Sequence, residues 1–400
     1  MEYVKLEEIC TIVSGGTPSR SKSDYWNNGN IPWIKIKDMK SKYIDSAEEF
    51  ITEEGLNNSS TKMLKSDTIL YSIFATLGEV GILKIDACTN QAIAGLSLKE
   101  DSNILKEYLY YYLKSKKKDV NNLGRGVAQN NINLSLLRKF RIPVIPLHQQ
   151  KKIIEVLDNV SSTINNYERE LALLDELVKA RFVEMFGNPL DKSKANMYFV
   201  ECVEFNPKKS EVKDLMCETV SFVPMECVGA DGSFKIKEDG LVKDYYKGYT
   251  YFKNGDVLLA KITPCFENGK VAIAENCTNG IGFGTTEFHV SRPIPGVSNS
   301  QWIKYMLKNE HVHELATINM TGSAGQKRIQ TPFFEKLKVY LPPIELQNQF
   351  ADFVSQIDKS KLLSGCRLFH SWAPENRDKP KHVGVPRRET KDLRGGRRQQ

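Results

Sequence analysis

At 400 residues, 40% of them apolar and 26% charged, the chain is long enough to bury the cores of two or three domains. It has no run of eighteen apolar residues and no leader-like N-terminus, since Glu2, Glu7 and Glu8 lie there, so it reads as cytoplasmic with no membrane partner. The net charge of +7 is concentrated in residues 364–400, where ten Lys/Arg face four Asp/Glu; residues 1–363 are left near +1, and any nucleic-acid argument must rest on local patterning. Eight cysteines without a CxxC pair or Cys/His ligand spacing argue against zinc and disulfides, and no metal or cofactor is expected.

Residues 1–148 read as a β-rich domain. After Val4 to Ile9 and a turn at Ser14-Gly15-Gly16-Thr17-Pro18, residues 31–38 alternate apolar with basic side chains, as a half-buried strand does, with Trp33, Ile34 and Ile36 inward and Lys35 and Lys37 outward. Residues 68–73, 81–85 and 92–98 read as further strands punctuated by Gly, Asn and Asp, and 104–118 as a helix. Strands followed by helices predict an α+β domain rather than a parallel doubly wound sheet.

Residues 149–187 form the central spacer. Ile153, Leu157, Val160, Ile164, Tyr167, Leu171, Leu174 and Val178 recur at steps of four and three, a heptad seam, between stop signals at Pro146 and Gly187-Asn188-Pro189. Such a helix spans about 57 Å, and its seam requires a second helix to cover it.

Residues 188–344 then repeat the first domain. Residues 129–153 map onto 326–350 at an offset of 197, pairing Ile132 with Ile329, Leu136 with Phe333, Phe140 with Leu337, Ile142 with Val339, Pro146 with Pro343 and Gln150 with Gln347. Upstream, 31–38 resembles 222–228, and 66–70 resembles 255–259 with Asp67 opposite Asp256. A unit used twice suits a reader of two similar things at a fixed distance. The second helix is expected to be short, 345–363, because Gly365, Pro374, Pro380 and Pro386 oppose its continuation; the basic tail 364–400 has a disordered composition. On that reading the seam from Leu171 to Val178 lacks cover from this chain.

A β-rich domain ending in Ile142-Pro143-Val144-Ile145-Pro146-Leu147-His148-Gln149-Gln150, a heptad helix, and a second copy ending in Leu341-Pro342-Pro343-Ile344-Glu345-Leu346-Gln347 together resemble the specificity subunits of type I restriction-modification systems. The motifs Ala260-Lys261-Ile262-Thr263-Pro264-Cys265-Phe266-Glu267-Asn268-Gly269-Lys270 and Met320-Thr321-Gly322-Ser323-Ala324-Gly325-Gln326-Lys327-Arg328 are similar to those of the family's target-recognition domains, and the likeness covers about residues 1–360. The resemblance implies two target-recognition domains joined by long antiparallel coiled-coil helices, each reading half of a split double-stranded DNA target. It also implies docking of two methyltransferase subunits, joined by a restriction and motor subunit. The residues agree with a non-catalytic role: there is no phosphate loop, no GxGxxG after a strand, and no Asn/Asp-Pro-Pro-Tyr/Phe run, for which Asn206-Pro207-Lys208 is no substitute. The histidines sit in no nucleophile or ligand motif. The competing reading is a structural protein whose coiled coil joins two ligand modules that never touch DNA, in keeping with the near-neutral charge of 1–363.

Candidate DNA contacts follow from side-chain chemistry. Lys35 and Lys37 could reach phosphates or guanine edges, or simply face solvent. Arg125, Gln129 and Asn130, in a glycine-bearing loop, combine the guanidinium and amides that bond bases bidentately, and Gln326, Lys327 and Arg328 recur at the equivalent place. Lys261 and Thr263 are similar candidates; Thr17 and Tyr71 are weaker, core packing being the alternative for Tyr71.

Overall fold

The repeat seen at the domain junctions is a repeat of hydrogen bonds. The computed structural model describes residues 2–124, 132–323 and 325–372, without the side chains of 123, 124 and 364–372. It divides into two units, Met1–Asn165 and Asn166–Gln400.

In the first unit, Cys10–Ser14, Ile93–Leu98, Ile69–Ser72, Val80–Leu83 and Tyr43–Ile44 form a five-stranded sheet in that order, and Glu49–Ile51, Ile31–Ile34 and Cys88–Thr89 form a three-stranded one. Glu2–Lys5 pairs with Arg141–Val144, which ties the two ends of the unit together. The strand Ile69–Ser72 is buried on both faces, and Tyr71, Ile82, Leu96, Leu109, Leu137 and Ile142 share one core. The second unit repeats the scheme. Val203–Phe205, Phe288–Pro293, Val257–Ala260 and Val271–Ile273 make one sheet, and Glu238–Leu241, Thr219–Val223, Ile281–Gly284 and Thr250–Lys253 the other. Each three- or four-stranded partner sheet contains one parallel pair, Trp33 with Cys88 and Phe222 with Phe283, and the class is α+β.

The clearest sign of duplication is a buried glutamine. Gln150 and Gln347 are both 0% exposed at the start of a long helix. Gln150 Oε1 accepts from the Leu105 amide at 2.8 Å, and its Nε2 donates to Asn103 O at 2.8 Å and Ile145 O at 2.9 Å. Gln347 Oε1 accepts from the Asn299 amide at 2.9 Å, and its Nε2 donates to Val297 O at 2.9 Å and Pro342 O at 2.8 Å. A buried amide with all these groups paired is stable, whereas any change strands backbone partners.

Upstream the expected register is one residue off. The Asp67 amide donates to Leu83 O and the Gly255 amide to Ala274 O, each at 2.8 Å, so Asp67 is the counterpart of Gly255, not of Asp256. Both occupy left-handed backbone, φ 73° and 90°, which glycine takes freely and aspartate tolerates. Thr68 corresponds to Asp256: Thr68 Oγ1 lies 3.2 Å from Ser97 Oγ, while the Asp256 carboxylate, 1% exposed, accepts from Arg292 Nε and Nη2, both at 2.9 Å.

The spacer helix is Leu147–Phe186, 40 residues and so about 60 Å long. Within the first unit Ile154 packs on the core and Asp158 accepts from both Lys42 Nζ and Tyr111 Oη; Ile153, expected on the seam, is exposed, as is Ile164. Within the second unit Val178, Phe182 and Phe186 join a core with Phe350 and Val354, the Phe182 and Phe186 rings lying 5.4 and 5.6 Å from Phe350. Farther along, Lys361 Nζ meets Asp175 at 2.7 Å and Tyr167 Oη donates to Lys361 O at 3.2 Å, so the two helices run antiparallel. The seam expected to be bare is therefore covered: Val178 is buried and Leu171 and Leu174 are half-buried. Lys361, which interrupts the apolar pattern, is accommodated by an ion pair with a carboxylate of the opposing helix. The second helix, Ile344–Trp372, also passes through Gly365 and runs nine residues beyond Leu363, ending two before Pro374. Residues 373–400 of the basic tail lie outside the described residues.

Candidate nucleic-acid interface

Two motifs far apart in sequence meet at one edge of the second unit. Past the strand Val257–Ala260 the chain continues through Lys261, Ile262 and Thr263, and residues 327–329 pair alongside: the Thr263 amide donates to Lys327 O, and the Ile329 amide to Lys261 O, each at 2.9 Å. Thr263 Oγ1 accepts from the Lys327 amide at 3.1 Å. On the other side Arg328 N donates to Thr321 O at 2.8 Å and Thr321 N to Arg328 O at 3.0 Å, closing a hairpin. Its turn needs glycine, since Gly322 has φ 133° and a Cβ there would lie 2.7 Å from Gln326 O. Thus the structure brings the candidates Lys261, Thr263, Gln326, Lys327 and Arg328 together, with Gln326 and Lys327 exposed.

The platform is anchored from beneath. Ile329 is buried, and its carbonyl accepts from His289 Nε2 at 2.9 Å, while His289 Nδ1 accepts from Asn206 Nδ2 at 3.3 Å. These partners require the neutral Nε2–H tautomer, and burial holds the imidazole pKa down at about 4. Sequence reasoning missed Glu287. Its two carboxylate oxygens take Arg328 Nε at 3.0 and 3.2 Å, and Oε1 also takes Nη2 at 2.9 Å. This contact keeps the guanidinium pKa above its ordinary value. Nothing in the run Gly284-Thr285-Thr286-Glu287 signals the pairing; strand register alone delivers it, the Lys261 amide donating to Glu287 O at 2.9 Å.

In the first unit the Ile132 amide donates to Ile73 O at 2.9 Å, as Ile329 does to Lys261, and the Ile73 amide to Ala92 O at 2.8 Å, as Lys261 does to Glu287. Ile73, Phe74, Ala75 and Ala92 thus stand where Lys261, Ile262, Thr263 and Glu287 stand. Phe74, another residue missed, is 40% exposed, and Ala75 adopts φ 60°, unusual for a residue with a Cβ. Arg125, Gln129 and Asn130 lie outside the described residues.

The remaining candidates are placed differently. Tyr71 is a correction: it is 0% exposed in the core, its ring edge-on to Phe140 at 6.2 Å, and burial pushes its hydroxyl pKa up. A strand buried on both faces has no polar side for it to occupy. Lys35 and Lys37 are not strand residues either, because the strand stops at Ile34 and a 3-10 turn, Ile36–Asp38, follows. Lys35 pairs with Glu49 and Lys37 with Glu48, which raises the Lys37 pKa. Thr17 Oγ1 donates to Gln91 Oε1. Beside them, unanticipated, Arg20 lies 3.6 Å from the Trp26 ring centre and 5.0 Å from that of Trp33. Among the described residues no cluster of His, Cys, Asp and Glu could hold a metal, and no helix is long and apolar enough to cross a membrane.

A family model described as type I restriction modification DNA specificity domain matches residues 1–175 and 218–365. The chain is 37% identical over 235 residues to the type I restriction enzyme EcoEI specificity subunit of Escherichia coli, covering 55% of this chain and 39% of that protein. It is 34% identical over 263 residues to the EcoAI specificity subunit of Escherichia coli, covering 60% and 44%. These alignments span less than half the length of either relative. A 22% identical match to the Escherichia coli EcoprrI specificity subunit covers 90% of this chain and 88% of that one. The fold is shared with a chain solved in a study of complex assembly and conformational transition of the type I R-M system, at TM-score 0.52 and 14% identity over 92% of this chain and 94% of that one.

Proposed function

The chain belongs to the type I restriction-modification DNA specificity family, and from that premise we propose that it selects a bipartite double-stranded DNA target, each unit reading one half. The long helices set the unspecified gap and dock two methyltransferase subunits, a restriction and motor subunit completing the complex. Adenine methylation and cleavage belong to those partners, so the chain contributes recognition and no catalytic group. One observation carries this reading. The scaffold bonds are kept between units, Gln150 like Gln347 and Ile132 like Ile329, while the side chains at the candidate reading positions change, Ile73, Ala75 and Ala92 against Lys261, Thr263 and Glu287. Constant framework with variable contact groups is what reading two different half-sequences requires.

Co-expression with methyltransferase subunits and single-molecule sequencing of modified adenines tests it. Methylation at a split motif, a few specified bases on each side of an unspecified gap, supports the proposal; a continuous motif or no methylation contradicts it. The near-neutral charge of 1–363 favours one other reading, two ligand modules that bind no DNA. Binding by the assembled complex that weakens steeply with rising salt, through counterion release, rejects that alternative.

A further inference from the structure

An isolated ion pair at a protein surface contributes little stability, so the clamp of Glu287 on Arg328 calls for another reason. The Arg328 side chain is 35% exposed and that of Glu287 25%, at the rim of the platform that also presents Gln326 and Lys327. A guanidinium has five N–H donors. Nε and one Nη2 hydrogen go to Glu287, and one Nη1 hydrogen goes to Gln326 O at 3.3 Å. Among the described residues two donors remain, one on each Nη nitrogen. The backbone of Arg328 is itself fixed, paired with Thr321 on one side and bridged to Ile262 on the other.

We propose that Arg328 reads a guanine in the second half of the DNA target, with Glu287 as the positioning residue that orients its free end-on fork. The assignment rests on the DNA-reading function proposed above. Guanine alone offers two adjacent acceptors, O6 and N7, in the major groove, and a fork of two N–H groups matches that pair. Clamping the guanidinium removes most of the rotamer freedom that binding would otherwise cost. Neutralising it with a carboxylate lowers its attraction for phosphate without touching the remaining donors, which directs it towards a base rather than the backbone. The first unit has Ala92 where Glu287 stands, so this device belongs to the second half-site only.

The test selects duplexes from a random pool with the complex assembled on methyltransferase subunits, carrying either the wild-type chain or R328A, R328K or E287Q, then titrates the selected duplex with 7-deazaguanine at each guanine of its second half. Thermal melting confirms that each variant is folded. For the wild type, one 7-deazaguanine, which lacks the N7 acceptor, should weaken binding roughly 5- to 150-fold. R328A should bind the two duplexes equally, whereas R328K, whose ammonium keeps the charge and can still donate to N7 but loses the rigid fork, should keep only part of the preference. E287Q should lose most of the preference for guanine while binding non-cognate DNA more tightly, because the arginine charge is no longer neutralised. A split target selected by wild type and retained with full guanine preference by R328A overturns the inference and leaves the DNA-reading proposal standing. Full preference in E287Q overturns the role of Glu287. If the wild type selects no sequence, both proposals fall together.

Discussion

Replacing Gln347 with methionine isolates the contribution of the duplicated glutamine, because the two side chains are close in volume and the change removes hydrogen bonds without opening a large cavity. Three bonds of 2.8 to 2.9 Å disappear at a site that is 0% exposed, stranding the Asn299 amide and the carbonyls of Val297 and Pro342. Buried groups left unpaired cost about 1–3 kcal/mol each, offset where water or a small backbone shift reaches them, so a loss of about 3–5 kcal/mol is expected. That is about a fifth or more of the stability of an ordinary domain. Gln347→Glu should cost more at neutral pH, since a carboxylate would then face two carbonyl oxygens. Urea unfolding of the full chain gives the total, and hydrogen exchange resolved by mass spectrometry gives the location, with the Asn299 amide among the first to lose protection. Gln150→Met should behave alike in the first unit, releasing the Leu105 amide. A loss below about 1 kcal/mol for Gln347→Met would refute the argument that this amide holds the helix start to its domain.

Asp256→Ala removes two hydrogen bonds from Arg292, whose side chain is only 16% exposed, but leaves its Nη1 paired with Glu211 and Glu204, and should cost about 1–3 kcal/mol by thermal or urea unfolding; Ser97→Ala, at the matching site of the first unit, should cost under about 1 kcal/mol. His289 has a folded pKa of about 4 against an ordinary value of 6.5, so the unfolded chain binds the extra proton between them. Stability should therefore be unaffected by this group above pH 6.5 and fall as pH drops from 6.5 towards 4, and His289→Gln should flatten that limb in pH-dependent urea titrations. Phe74→Ala should leave the melting temperature nearly unchanged but weaken binding to the first half-site by up to about 2 kcal/mol, with Phe74→Tyr close to wild type. Arg125→Ala should weaken or relax first-half recognition by about 1–3 kcal/mol if Arg125 contacts a base, measured with single-base variants of the selected duplex.

The parts of the molecule that were legible beforehand are those in which one physical constraint repeats many times. Eight apolar positions at heptad spacing marked the spacer helix, and the constant offset of 197 survived because both junctions place the same glutamine and the same buried residues, Ile132 and Ile329, Ile142 and Val339, in the same packing. Where a single residue could satisfy two structures, the pattern misled. The alternation of residues 31–37 fits a half-buried strand, but the strand ends at Ile34 and a tight turn uses the rest. Matching Asp67 to Asp256 aligned two identical side chains, whereas the backbone demanded that Asp67 share the left-handed position of Gly255. Lys361 looked like the end of the coiled-coil seam because pattern alone cannot see that Asp175 stands opposite it. Glu287 and Arg328 lie 41 residues apart and meet only through strand pairing, so no local signal could have joined them.

The central claim, two readers separated by a fixed helical spacer, is tested most directly by altering the gap rather than the half-sites. One base pair inserted into the unspecified stretch moves one half-site by about 3.4 Å and rotates it by roughly a tenth of a turn relative to the other. Affinity of the assembled complex would be measured for the selected duplex, for duplexes with every gap base substituted at constant length, and for duplexes with the gap lengthened or shortened by one pair. The account predicts that substitution in the gap changes little and that either change of length costs most of the sequence-specific affinity. Equal binding at all three lengths, or strong dependence on the identity of the gap bases, would contradict it.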